Sequence, residues 1–114
     1  MPYLKIHTNI TPDTITRDKL LHDLSTTVAE QLGKPERYVM IAIEAGAPMI
    51  FGGDDGPLAY LELKSVGLPA AKTAVFSAVL CRLVEQELEI PADRIYIEFA
   101  DADGQMWGWN GATF

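Results

Sequence analysis

The chain has 114 residues, the length of one domain. Hydrophobic residues make up 48% and charged residues 22%, an ordinary globular balance that excludes a disordered chain. The net charge of −7 repels phosphate backbones and anionic lipid, which argues against nucleic acid and membrane as partners.

One cysteine, Cys81, excludes an intrachain disulfide and fits a reducing compartment. The start, Met-Pro-Tyr-Leu-Lys-Ile-His, lacks the long apolar run of a signal peptide. No stretch reaches the about 18 apolar residues of a membrane span. The expected location is cytoplasmic, with secretion without a signal peptide left open.

Tyr3 to Ile10 alternates, with Leu4, Ile6 and Thr8 on one side and Tyr3, Lys5 and His7 on the other, as in a strand. Thr11-Pro12-Asp13 reads as a turn. A helix is expected from Thr16 to Leu32, with Leu20, Leu21, Leu24, Val28 and Leu32 as its apolar stripe. Gly33 and Pro35 stop it. Tyr38 to Glu44 reads as a second strand and Gly46 to Pro57 as a glycine- and aspartate-rich loop. Leu58 to Val66 reads as a third strand. A second helix is expected from Ala70 to Leu88. Ala71, Ala74, Val75, Ala78, Val79, Cys81, Leu83 and Leu88 promise it broad apolar coverage and deeper burial than the first. Arg94 to Ala100 reads as a fourth strand, Asp101 to Gly104 as a turn, and Gln105 to Trp109 as a short strand.

The order is strand-helix-strand, twice. Pro35 precedes Val39, Ile41 and Ile43 at the offsets by which Pro91 precedes Ile95, Ile97 and Phe99. This reads as an internal pseudo-repeat of about 56 residues, with halves near 1–57 and 58–114 of one domain spanning 1–114. Two β-α-β units make an α/β (α+β) fold, a four-stranded sheet with both helices on one face. The other face is left uncovered. An apolar uncovered face on so small a domain implies self-association.

Several chemistries find no residues. No Ser-His-Asp arrangement, glycine-rich phosphate loop or Cys-x-x-Cys is present. His7 and His22 lack metal-ligand spacing, and no metal or cofactor is expected. Asp101-Ala-Asp103-Gly104 lacks the later ligands of a calcium loop. Cys81, mid-helix among apolar residues, reads as a buried small hydrophobe.

Pro2 is the candidate base. Removal of Met1 would leave a secondary amine as the free amino terminus. A terminal amine ordinarily titrates near 7.7–8.0. Burial or a nearby cation lowers that value, so the amine is neutral and basic at physiological pH. Lys34, just past the first helix, either neutralises helix carbonyls or holds a substrate carboxylate. The tail, Trp107 to Phe114, either packs at a subunit interface or walls an aromatic substrate.

Taken together these residues resemble the macrophage migration inhibitory factor family of the tautomerase superfamily. The landmarks are Met1-Pro2, Thr8-Asn9, Gly33-Lys34-Pro35 with Tyr38, Phe51-Gly52-Gly53, Lys64-Ser65-Val66-Gly67, Pro91 to Ile97, and Gly108-Trp109-Asn110 with Thr113-Phe114. The resemblance covers essentially the whole chain. It implies the tautomerase fold, assembled as a homotrimer around a central barrel with active sites between subunits. It implies keto–enol tautomerisation of phenylpyruvate-like aromatic acids, with Pro2 as catalytic base and no cofactor. Lys34 matches the lysine that binds the substrate carboxylate. Val66, with Ser65 beside it, matches the aliphatic residue of the site. Tyr96 matches a tyrosine supplied by the neighbouring subunit. Tyr38, Trp109 and Phe114 match the aromatic wall.

Four departures stand out. Glu98 occupies the place of a ligand-contacting asparagine of the animal cytokine. Trp107 replaces a smaller residue. Leu58 and Leu61 stand where that protein has its Cys-x-x-Cys. Gly46 stands where it has an acidic residue implicated in receptor binding, which weakens the alternative of a cytokine-like secreted signalling protein with vestigial activity.

Overall fold

The computed structural model describes residues Met1–Phe114. Strand β1 (Tyr3–Thr8) alternates as read, with Leu4, Ile6 and Thr8 buried. It stops short of Ile10 because Asn9 leaves the sheet. The Asn9 amide donates to the Asp55 and Gly56 carbonyls, 3.0 Å each, and its oxygen accepts the Leu58 N–H at 3.0 Å. Helix α1 (Thr14–Leu32) starts earlier than expected because Asp13 caps it. The Asp13 carboxylate accepts the Thr16 N–H at 2.7 Å, and that bond holds its carboxyl below the usual range. Gly33 ends the helix in the left-handed region, φ 62°.

A 3-10 turn, Glu36–Tyr38, takes in Tyr38, the residue expected to open the second strand. Pro35 directs it, its carbonyl accepting the Tyr38 N–H at 3.0 Å. Strand β2 therefore covers only Met40–Glu44. At the start of the loop that follows, Gly46 (φ 66°) carries no Cβ; one there would meet Thr11 Oγ1 at 2.9 Å. Strand β3 (Ala59–Val66) follows, and a 3-10 turn, Ala70–Lys72, leads into α2 (Thr73–Leu88).

The broad coverage expected of α2 is not found. Phe76, Leu80, Val84 and Leu88 form one narrow buried stripe, whereas Ala71, Ala74, Val75 and Ala78 are exposed. A helix on one sheet has a single face to bury, so its remaining apolar side chains stay in solvent. Strand β4 (Ile95–Ala102) runs past the expected turn at Asp101, whose carboxylate accepts the Leu68 N–H at 2.8 Å. A 3-10 turn, Gly104–Met106, stands where the short strand was expected to begin. Two short strands, β5 (Gly108–Trp109) and β6 (Ala112–Thr113), form a hairpin. Asn110 and Gly111 turn it, both with positive φ as a type I′ turn requires.

The main sheet has order β2-β1-β3-β4. β1 pairs in parallel with β2, β3 in parallel with β4, and β1 with β3 antiparallel. Fifteen buried residues from α1, α2 and the strands make one core between helices and sheet. The uncovered face is polar, not apolar, which corrects the sequence reading. Lys5 Nζ lies 3.0 Å and His7 Nδ1 3.4 Å from the Glu44 carboxylate. The Tyr60 hydroxyl donates to Glu98 at 3.0 Å, and that bond pushes Tyr60 up to about 12. Met40 on β2 and Tyr96 on β4 add exposed apolar side chains at the edges of that face, and Ile50 is exposed on the long loop.

One contact between the helices is pH-dependent. The Glu87 side chain is 9% exposed, with Oε1 3.2 Å from Lys19 Nζ and Oε2 lacking any hydrogen-bond partner. Burial first, then the neighbouring Asp23, raises its carboxyl above the ordinary range. A raised carboxyl favours the fold while protonated, and that contribution is lost as pH rises through the folded-state value. Glu87→Gln removes the buried charge but keeps the shape. Thermal melts are expected to show no gain at pH 4 and about 1 kcal/mol of added stability at pH 8.

Candidate active site

Three chain segments meet at one end of the sheet. β1 begins there, β3 ends there, and α1 delivers its C-terminus there. Tyr3 pairs with Lys64, so Pro2 and Ser65 are the next positions outward on the two strands. Pro2 is buried, and its carbonyl accepts the Met40 N–H at 2.9 Å. The Met1 amine donates to the Tyr38 carbonyl at 2.8 Å. Burial, and after it the Lys34 charge, hold that amine below the usual 8.0.

Lys34 reaches this point because Gly33 reverses the chain. Its N–H donates back to Ala29 at 3.0 Å, closing the helix and turning the side chain toward the strands. Its ammonium stands 4.0 Å from where a Gly67 Cβ would be. Lys34 is half-buried, yet no carboxylate of the chain forms an ion pair with it. A half-buried cation without a counter-charge beside an amine is suited to an anionic ligand.

The aromatic residues form one wall. The Tyr38 ring meets Trp109 edge-on at 5.3 Å and Phe114 edge-on at 5.9 Å, and Trp109 stacks on Phe114 at 5.6 Å. The terminal hairpin is held by the Phe114 N–H, which donates to the Gly104 carbonyl at 3.0 Å and the Trp107 carbonyl at 3.2 Å. Gly104 has no substitute there, since a Cβ would collide with the Phe114 carbonyl. Trp107 is half-buried beside the wall. Val66 is half-buried on the uncovered face, while Ser65 is fully buried, its hydroxyl donating to the Val66 carbonyl at 3.2 Å.

Tyr96 lies elsewhere. It pairs with Tyr60, six positions before Val66 on β3, which at about 3.3 Å per residue is roughly 20 Å away. There it is 64% exposed and packs on Phe51 at 4.6 Å. A mainly apolar cavity of about 430 Å³ opens beside it, lined by residues that include Ile50, Phe51, Leu58 and Tyr60. One copy of the chain therefore brings together Pro2, Lys34, Tyr38, Trp109 and Phe114, with Ser65 and Val66 adjacent, and leaves Tyr96 at the far end. Glu98 is exposed on the same face as Tyr96, two residues on. The sequence reading placed Phe51 and Arg94 among the landmarks but assigned them no role. Arg94 donates to four carbonyls of the 51–57 loop.

The family model for macrophage migration inhibitory factor (MIF) matches residues 1–114. The chain belongs to the macrophage migration inhibitory factor family. Its relatives include the macrophage migration inhibitory factor homolog of Brugia malayi, 43% identical over 100% of this chain and 99% of the relative. The Xenopus laevis macrophage migration inhibitory factor is 36% identical over the same shares. The crystal structure of the Prochlorococcus marinus homologue superposes with a TM-score of 0.93 at 44% identity, covering 98% of each chain. The structure of the macrophage migration inhibitory factor from Trichinella spiralis gives 0.92 at 34% identity, covering 98% of this chain and 99% of the other. The MIF family lies in the tautomerase superfamily, and membership supports isomerase chemistry in general. The sheet order and helix layer described above are its fold.

Proposed function

We propose that the trimmed chain is a keto–enol tautomerase acting on phenylpyruvate-like aromatic 2-oxo acids, and that it works as a homotrimer. The observation that supports this best is the half-buried, unpartnered Lys34 side chain beside the part-buried amino terminus and the buried Pro2. With Met1 attached, the Pro2 nitrogen is a tertiary amide without a usable lone pair. Without it, the nitrogen is a secondary amine on a buried residue, next to the position where burial and the Lys34 charge lower the Met1 amine. Burial and a neighbouring cation both disfavour the charged form of such an amine, which favours a neutral base.

The mechanism needs one base. The substrate carboxylate rests on Lys34 and its ring against Tyr38, Trp109 and Phe114. Pro2 accepts the enol hydroxyl proton, and the C=O bond forms as the C=C electron pair moves to the benzylic carbon. That carbon takes the proton back from the Pro2 ammonium. No cofactor enters, and protons balance over the cycle. Tyr96 of a second subunit would close the pocket on the open side. The sites thus lie between subunits. Cytoplasmic residence remains part of this proposal. The signalling alternative gains nothing from the loop at Gly46, where a side chain would meet Thr11.

The test begins with the intact mass, which reports whether Met1 is gone, and a phenylpyruvate assay on the trimmed form. No turnover would sink the reading. Mixing then tests the shared site. Pro2→Gly and Tyr96→Ala subunits, each weak alone, are expected to regain about a quarter of wild-type sites when unfolded together and reassembled. A random mixture pairs an intact Pro2 with an intact neighbouring Tyr96 at that frequency. No recovery would place Tyr96 outside the partner's site.

A further inference from the structure

The loop between β2 and β3 ends in a tight tip. Phe51 and Asp54 exchange backbone hydrogen bonds of 2.9 and 3.1 Å around Gly52 and Gly53, both at positive φ. A Gly-Gly tip is conformationally loose and does not by itself fix where the Phe51 ring points. The Arg94 side chain does. It is 19% exposed and lies under the loop just before β4. Nε donates to the Pro57 carbonyl at 2.8 Å, and Nη1 donates to the Phe51 carbonyl at 3.2 Å. Nη2 donates to the Asp54 carbonyl at 2.9 Å and the Gly56 carbonyl at 3.3 Å. Its Cζ also lies 5.4 Å from the centre of the Phe51 ring.

An ion pair does not explain this arrangement. The nearest carboxylate oxygen, on Asp54, is 3.8 Å away on a side chain 69% exposed. The guanidinium serves the carbonyls. Four acceptors spread around one plane match its rigid fork of donors, and a lysine ammonium cannot span them. The clamped Phe51 ring then packs on Tyr96 at 4.6 Å and 41°.

We propose that Arg94 is a positioning residue for the tautomerase pocket. It fixes the 51–57 loop so that Phe51 buttresses Tyr96 in the orientation presented to the neighbouring subunit's Pro2. The proposal rests on the tautomerase reading above. Arg94 touches no substrate and acts through Phe51 and Tyr96. Loss of the clamp loosens one wall of the pocket and leaves the base and Lys34, at the other end of the sheet, untouched.

The variant is Arg94→Lys in the trimmed, assembled protein. KM for phenylpyruvate is expected to rise about tenfold while kcat stays within about twofold. The pH at which activity rises should not move. A merely structural loss would lower the folded fraction, and with it apparent kcat, without moving KM. Hydrogen exchange supplies a second readout independent of substrate. The Phe51 and Asp54 amides should exchange about tenfold faster, with the β1 and β3 amides unchanged. If Arg94→Lys fails to fold, Phe51→Leu keeps the clamp and removes the buttress, and should raise KM alike.

An active, Pro2-dependent parent whose variant keeps its KM overturns the role of Arg94 alone. Unchanged exchange at Phe51 and Asp54 overturns it as well. A trimmed parent with no turnover overturns the tautomerase reading, and this proposal with it.

Discussion

Pro2→Gly, in protein confirmed by mass to lack Met1, is expected to lower kcat/KM for phenylpyruvate about 10²-fold. Proton transfer by a positioned base contributes roughly 10²–10⁴-fold, and the glycine variant keeps a primary terminal amine that acts weakly. The ring matters because it fixes the direction of the nitrogen lone pair where β1 enters the sheet. Glycine frees that direction by letting the terminal N–Cα bond rotate. Stability should change little, since the Pro2 carbonyl bond to the Met40 N–H is a backbone bond that glycine retains. Stopped assays and a melt on the same sample separate the two effects. Turnover equal to the parent's would remove Pro2 from the mechanism. Protein retaining Met1 should be inactive whatever stands at position 2.

Lys34→Ala is expected to raise KM for phenylpyruvate about 10–100-fold, the loss of a charge-assisted hydrogen bond worth about 1.5–3 kcal/mol. An uncharged phenylpyruvate analogue should suffer far less. Equal losses on both would show that Lys34 does not read the carboxylate. The same variant carries a pH signature. The base must be neutral, so activity rises with pH through the amine's own titration. Burial first and the Lys34 charge second hold the Met1 amine below 8.0, and the Pro2 nitrogen of the trimmed chain is the adjacent position. Removing the charge leaves the burial. The rising limb of kcat/KM should therefore move to higher pH in Lys34→Ala, yet remain below the value of an exposed amine. A limb that moves down, or not at all, contradicts this electrostatic account.

How much of this was legible beforehand follows from the range of each interaction. Alternation in Tyr3 to Thr8 and the three- and four-residue spacing of Leu20, Leu24 and Val28 reported which faces are buried. Such patterns read directly because each residue's facing depends only on its neighbours along one element. Element ends read less well. Asn9 leaves β1 to bind residues 55–58, and Asp101 stays in β4 because Leu68 meets it, and both partners are remote in sequence. The α2 stripe of Phe76, Leu80 and Val84 was hidden among apolar neighbours, since the helix is apolar on more faces than the sheet can cover.

The site divides in the same way. Pro2 and Lys34 stood out by local logic, one as a second residue and one beside a helix-ending glycine. The aromatic wall gained definition only when the Asn110-Gly111 hairpin folded Trp109 and Phe114 against Tyr38.

The sequence by itself determined the strand-helix-strand order, the core-facing residues of β1 and α1 and the identity of the candidate base and cation, because periodicity and chain position are local properties. Tertiary structure decided the rest. It made the uncovered sheet face polar, by alternation across four paired strands that no single strand reveals. It brought the amino terminus, Lys34 and the aromatic wall to one end of the sheet, and carried Tyr96 roughly 20 Å away to the other. The physical reason is the antiparallel pairing of β1 with β3, which sends the two β-α-β units in opposite directions. That pairing leaves each copy with Pro2 at one end and Tyr96 at the other.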